Sequence, residues 1–310
     1  MNTNPLSALT GVHPQPKLMS RTYKMPGLRA DRLATLYLFH PLCRLLRSGR
    51  AGIPILMYHS ISGIDESAKH PYYRIATASR VFEEQLKLLY HKDYKAVSPS
   101  DAVRLAQEPG RNAEKLVVIT FDDGYQDFYT HAFPILSQYG FTATVFLPTA
   151  YIGDTTRGLN GAACLTWSQV RELRGAGVDF GSHTITHRQL NTLNIEDVRH
   201  ELRYSKETIE EKLGYPVKSF AYPYAFPETD RDFTQRLREI LDQTGYENGV
   251  STIIGIAHPS NDRFFMKRLP VNSCDDLPFF RAKLEGAYDW LHAFQYASKL
   301  TGKTQSTLSS

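Results

Sequence analysis

Cysteine is scarce in this 310-residue chain. Cys43, Cys164 and Cys274 are odd in number, far apart and without a CxxC spacing, so neither a disulfide framework nor a thiolate zinc site is indicated. No apolar run approaches the roughly 18 residues of a membrane span. The best stretch, Leu33 to Leu46, is broken by His40, Pro41 and Arg44, and no small-residue cleavage site follows it, so a cleaved signal peptide is not expected. Internal repeats are missing, and outside the N-terminal segment there is no Lys/Arg stripe, which argues against nucleic acid as a partner.

What charge there is lies unevenly. The net +4 divides into eight Lys/Arg against Asp31 alone in residues 1–50, leaving 28 bases against 31 acids for the rest. Between Arg21 and Arg50 the bases Arg21, Lys24, Arg29, Arg32, Arg44, Arg47 and Arg50 alternate with Leu33, Leu36, Tyr37, Phe39, Leu42 and Leu45. Two readings stay open: a helix lying on an anionic membrane surface, or an extension packed on its own domain. A cytoplasmic or membrane-peripheral protein is the matching expectation.

From residue 53 onward, short β-rich runs alternate with amphipathic helical stretches, the pattern of an α/β fold with parallel strands. Strands are expected at Ile53 to Met57, Leu116 to Thr120, Thr142 to Leu147, Val178 to Phe180, Ser219 to Tyr222, Gly249 to Ile254 and Leu269 to Val271. Helices are expected after a Ser79 cap, after Ser98-Pro99, behind the Thr166/Gln169 capping box, from Glu196 to Leu213 with a stop at Gly214, and from Asp232 to Gln243. The last 20 or so residues are polar and read as a tail.

The notable polar clusters each follow a strand directly. Thr120-Phe121-Asp122-Asp123-Gly124-Tyr125 comes first, then His183-Thr184-Ile185-Thr186-His187, then Pro223-Tyr224. In a parallel barrel such strand ends meet at one mouth. His183 and His187, four apart, would face one side of a helical turn and share a cation. Thr184 stands where a zincin needs Glu, which excludes that mechanism. Two adjacent carboxylates at a buried strand end repel unless a cation or a proton neutralises one of them.

These segments, with Phe220-Ala221-Tyr222-Pro223-Tyr224, resemble the first three motifs of the polysaccharide deacetylase family, the NodB-homology or carbohydrate esterase family 4 enzymes. Leu56-Met57-Tyr58-His59-Ser60-Ile61 further resembles the branch of exopolysaccharide poly-N-acetylglucosamine deacetylases. The likeness spans about residues 53–275. It implies a distorted (β/α) barrel of about seven parallel strands in a single catalytic domain, residues 51–290, between a basic extension at 1–50 and a polar tail at 291–310.

The implied reaction is metal-dependent hydrolysis of the N-acetyl group of an amino sugar in a polysaccharide or glycan precursor, releasing acetate and a free amine. Asp123, His183 and His187 would hold one divalent cation, zinc by preference, with cobalt, nickel or iron as substitutes. Asp122 would be the general base, and the backbone N–H of Tyr224 would stabilise the oxyanion.

The chain departs from the family twice. Ala221 stands where the motif has the Arg that pairs with the base, and Arg268 is the candidate to supply that guanidinium from another strand. No Leu-x-x-His occurs late in the chain, so the acid role falls to His59 or His258, with His59 preferred because it ends a strand. Tyr58, Tyr125, Tyr129, Tyr151, Trp167 and Tyr224 are the candidate sugar-stacking rings. The competing readings are a glycan-binding protein with a decayed site, a two-His-one-carboxylate iron oxygenase, and a phosphatase using Asp122, the last disfavoured by Gly124 in place of a second Asp.

Overall fold

The computed structural model describes residues 29–46, 52–63, 66, 69–106 and 115–300. Seven parallel strands form a closed ring in chain order: β1 (Ile55–Tyr58), β2 (Lys115–Phe121), β3 (Thr144–Leu147), β4 (Asp179–Ser182), β5 (Ser219–Ala221), β6 (Asn248–Ile254) and β7 (Met266–Pro270). The ring closes where β1 pairs with both β7, through Leu56↔Leu269, and β2, through Leu56↔Ile119. Tyr94–Ala96 adds a short strand outside the ring, on the first half of β2. The expected strands appear with boundaries moved by a few residues, and the architecture is the seven-stranded (β/α) barrel.

Strand alternation sorts the side chains into two layers. Ile55, Val118, Phe146, Ala221, Val250 and Met266 form a small apolar cluster in the barrel interior. Leu56, Tyr58, Ile119, Phe121 and Leu269, of the opposite parity, join the larger core beneath the helices. The interior is tight. A Cβ on Gly181 of β4 would lie 2.5 Å from the Phe146 ring, so only glycine fits there.

The helices largely follow their sequence signals. Thr166 and Gln169 form the capping box of the Trp167–Gly175 helix. The Ile195–Leu213 helix ends on Gly214 at φ 72°, a left-handed cap that glycine adopts without steric cost. Ser79 is the first helical residue of Ser79–His91 and makes no cap; Ala78 occupies that place.

The C-terminal expectation needs a correction. Leu291–Leu300 is a helix laid over β6, with the Gln295 side chain accepting from Ile254 N–H and donating to Thr252 O. Its polar residues Gln295 and Lys299 make the packing contacts while Ala293, Phe294, Tyr296, Ala297 and Leu300 are exposed, so residue polarity gave no sign of the docking; residues 301–310 lie outside the described residues.

Of the N-terminal segment, residues 29–46 are described, and the flanking bases Arg21, Lys24, Arg47 and Arg50 are not among them. Ala30–Ala34, a π-helical stretch Thr35–Phe39 and His40–Leu45 run on as one helix against Leu277–Leu284. Arg29 and Arg32 pair with Asp275 and Asp276, the Phe39 ring stacks on Trp290 at 4.8 Å, and the Trp290 indole donates to Thr35 Oγ1. This segment therefore packs on the domain, while its other face leaves Tyr37, Leu38, Leu42, Leu45 and Leu46 exposed.

Asp275 ties these parts together. Its carboxylate accepts from Lys283 Nζ at 2.7 Å and from Arg29 at 3.1 Å, and both Asp275 and Lys283 side chains are almost wholly buried. Lys283 also donates to Pro270 O at the end of β7. Asp275→Ala leaves the ammonium buried without its partner, so chemical denaturation should show a loss of about 3–5 kcal/mol. A loss below about 1 kcal/mol would mean that water or another group replaces the carboxylate.

Candidate active site

The mouth of the barrel is built from the turns that leave β2, β4 and β5. Asp122 follows β2, and its N–H donates to Tyr58 O of β1. Its carboxylate accepts two hydrogen bonds from the Arg268 guanidinium, both at 2.7 Å, with both side chains buried. Arg268 reaches across from β7, and two more of its donors bind Thr120 Oγ1 and Ser251 O. Burial alone would raise the Asp122 carboxyl, but the guanidinium overrides it and holds the group below the usual carboxylate range. The space left by Ala221 is thus served by an arginine from another strand.

Asp123 points the other way. Its backbone takes φ 71°, and Oδ1 lies 3.1 Å from Nε2 of His187 and 3.5 Å from Nε2 of His183. Burial opposes its ionisation, yet the two imidazoles hold its carboxyl well below the usual range. The His183 Nδ1–H donates to Ala221 O at 2.8 Å, which leaves the Nε2 lone pair facing Asp123.

The two histidines do not share a helical turn as their spacing suggested. Residues 183–187 form an irregular loop after β4 in which Thr184 (φ 71°) and His187 (φ 54°) are left-handed, and that reversal brings the rings to 4.9 Å between centroids. Four of the six non-glycine residues with positive φ among the described residues, Asp123, Thr184, His187 and Tyr224, stand at this mouth. Each costs about 1–3 kcal/mol and needs support. Glu201 supplies much of it, a residue the sequence reading passed over as one charge on a long helix. Its buried carboxylate accepts from Ile185 N, Thr186 N and Thr186 Oγ1, while Thr184 Oγ1 accepts from His187 N.

Asp123, His183 and His187 offer three ligand atoms within 4.8 Å of one another, all buried. Asp123 Oδ1 has no hydrogen-bond partner, and neither does His187 Nδ1. A buried carboxylate oxygen aimed between two imidazole nitrogens and left unsatisfied fits a divalent cation.

His59 ends β1 at the same mouth, half-buried. Burial lowers its pKa, against the pull of Asp123 and Asp122. His258 lies at the opposite end of the barrel, beside Gly52 and next to the Ile53–Ala257 bridge. The Tyr224 ring packs 4.7 Å from His187, and its N–H has no backbone partner among the described residues. Of the candidate stacking rings, Tyr58, Tyr125 and Trp167 are buried and out of reach of a sugar, and Tyr129 donates to Glu172. Tyr151 and Tyr224 line an open groove of about 670 Å³ with Asn160, Arg188, Asn191 and Asp230.

Comparison with known proteins agrees with this geometry. Residues 110–249 match the polysaccharide deacetylase family. The chain is 31% identical over 222 residues to YxkH of Bacillus subtilis (strain 168), assigned by its name to the polysaccharide deacetylases, covering 72% of each chain. It is 34% identical over 144 residues to the poly-β-1,6-N-acetyl-D-glucosamine N-deacetylase of Escherichia coli (strain K12), which covers 43% of this chain and 20% of that one. Among solved structures, the Streptococcus pyogenes deacetylase PplD, in complex with acetate, superposes with a TM-score of 0.65 and 28% identity over 76% of this chain and 99% of that one. A relative so similar over 72% of both chains, together with the superposition on PplD, shows that this protein belongs to the polysaccharide deacetylase family, hydrolases of amide bonds.

Proposed function

We propose that the protein removes the N-acetyl group of an amino sugar in a glycan, releasing acetate and a free amine, in a metal-dependent reaction. The observation that carries the metal is the unsatisfied Asp123 oxygen between His183 and His187. One divalent cation held by these residues would supply Lewis acidity toward the amide carbonyl and an acidified water, and the nitrogen and oxygen donor set favours zinc, with cobalt, nickel or iron able to substitute.

The remaining steps belong to the chain. Asp122 takes a proton from the attacking water, since each of its oxygens keeps a lone pair beyond the one bound to Arg268. Arg268 is a positioning residue that keeps this carboxylate ionised and aimed. As the C–O bond forms, the Tyr224 N–H donates to the developing oxyanion. His59 relays that proton, one ring nitrogen accepting it from Asp122 as the other donates its N–H to the leaving nitrogen and the C–N bond breaks. Tyr151 and Tyr224 flank the sugar in the groove.

The decayed-site reading is weakened by the intact juxtaposition of Asp122, Asp123, His183 and His187. The parallel barrel and the Arg268-paired second carboxylate stand against the oxygenase reading.

Elemental analysis should find one metal per chain. Asp122→Asn should keep it and lose roughly two to four orders of magnitude in acetate release. Asp123→Asn should lose metal affinity and recover part of its activity in excess metal, by mass action. Metal lost by Asp122→Asn and kept by Asp123→Asn would exchange the two roles.

Arg268→Lys replaces a planar fork with a point charge. With metal content unchanged, kcat should fall roughly ten- to hundredfold while KM stays within about twofold, because the base is misaimed and the groove is intact. A change in KM alone would assign Arg268 to substrate binding.

The exposed Tyr37, Leu38, Leu42, Leu45 and Leu46 beside Arg44 also favour contact with an anionic membrane surface. Leu42→Glu/Leu45→Glu should abolish sedimentation with vesicles containing anionic lipid. Undiminished sedimentation would refute that contact.

A further inference from the structure

A second cavity, of about 340 Å³, opens at the barrel mouth on the side away from the polar groove. Its floor follows from strand parity. In β7, Met266 joins the interior cluster and Leu269 the outer core, so Arg268 and Pro270 face inward together. In β1, Ile55 is interior and Leu56 and Tyr58 are outer, so Met57 faces inward as well. Met57 and Pro270 pair across β1 and β7 and line the cavity, one row above Arg268. Ile254 forms one wall, and Leu291 and Phe294 of the Leu291–Leu300 helix form the roof. Ala225, next to Tyr224, and Lys299 line both this cavity and the polar groove, so the two adjoin beside Tyr224, and the floor of the apolar one sits a row above Arg268, the partner of Asp122.

The cavity is unsuited to a sugar, because beside the exposed Tyr73 ring its polar side chains are engaged within the protein. Gln295 is bonded at both ends to the backbone of β6, and Thr252 Oγ1 donates to Tyr224 O and accepts from Phe226 N. Lys299 pairs with Glu228, and Ser298 Oγ donates to Gln295 O. Hydroxyl groups placed there would lose water without gaining partners. An amide substrate has a polar side, the sugar, and an apolar side, the acyl group, and the two cavities divide in the same way. The acetyl methyl, about the size of a water molecule at ~30 Å³, would fill only a small part of the apolar one.

We propose that this cavity accepts N-acyl chains longer than acetyl, making the protein an N-deacylase for short- and medium-chain acyl amino sugars. The inference rests on the amide-hydrolysis reading of the site. The chemistry is the same: one water is consumed, its oxygen bonds to the acyl carbon, the C–N bond breaks, and a carboxylic acid and an amine form.

The test compares amine release by the full, zinc-supplied chain from glucosamine trisaccharides bearing N-acetyl, N-butyryl or N-hexanoyl groups. The expected result is a kcat/KM for hexanoyl at least equal to that for acetyl, each buried methylene adding up to about fourfold. Acetyl cleavage with slower hexanoyl cleavage overturns the proposal and leaves the deacetylase reading intact. No amine from any substrate defeats the hydrolytic reading and the acyl cavity with it. A parallel arm uses the N-acetyl trisaccharide carrying a hexyl aglycone; acceleration there without acceleration by hexanoyl gives the cavity to the aglycone and overturns the acyl assignment. Phe294→Asp, at an exposed position on the rim, should lower the hexanoyl-to-acetyl ratio by at least about fivefold, and an unchanged ratio overturns the assignment.

Discussion

Two adjacent carboxylates cannot both be buried and ionised at one strand end unless each faces its own positive group or a place that can hold a cation. Asp122 and Asp123 meet that condition by pointing apart. Asp122 turns toward the guanidinium that Arg268 brings across the barrel, and Asp123 toward two imidazole nitrogens. The closed ring makes this possible, since β7 returns to pair with β1 beside β2 and sets Arg268 over the end of β2. Removing the guanidinium would leave Asp122 facing Asp123 with no cation of its own.

The turns at the mouth carry the conformational cost of that arrangement. Left-handed backbone at Asp123, Thr184, His187 and Tyr224 aims side chains that ordinary loops would send into solvent. Thr184 is the strained extreme, a β-branched residue at φ 71°. Its hydroxyl accepts from the His187 N–H, and Glu201 clamps the two residues between them. The histidines are therefore preorganised by a helix that contributes nothing to the chemistry itself.

The same mouth separates polar from apolar surroundings. On one side lie Asn160, Arg188, Asn191 and Asp230, on the other Met57, Ile254, Pro270 and Phe294. The Leu291–Leu300 helix roofs the apolar side, and the Phe39–Trp290–Phe294 aromatic contacts link it to the N-terminal helix. The Leu291–Leu300 helix, outside the family likeness, thus borders the apolar side of the mouth, and the N-terminal helix packs behind it.

Much of this was legible in the chain alone, because strand periodicity and strand-end clusters are local signals. The seven strands, the capping box at Thr166, the Gly214 stop and the Asp-Asp-Gly and HxxxH clusters all depend on neighbours a few residues apart. Which arginine replaces the one absent at Ala221, and which histidine joins the mouth, depend instead on ring closure between residues more than a hundred positions apart. Tertiary structure set Arg268 against Asp122, left His258 at the far end of the barrel, and buried Tyr58, Tyr125 and Trp167. It also brought His183 and His187 together through a strained loop where their spacing had suggested a helix, since the loop is held by Glu201 at Ile185 and Thr186 and by Thr149 N–H at Thr184 O, contacts that leave no mark in the residue pattern.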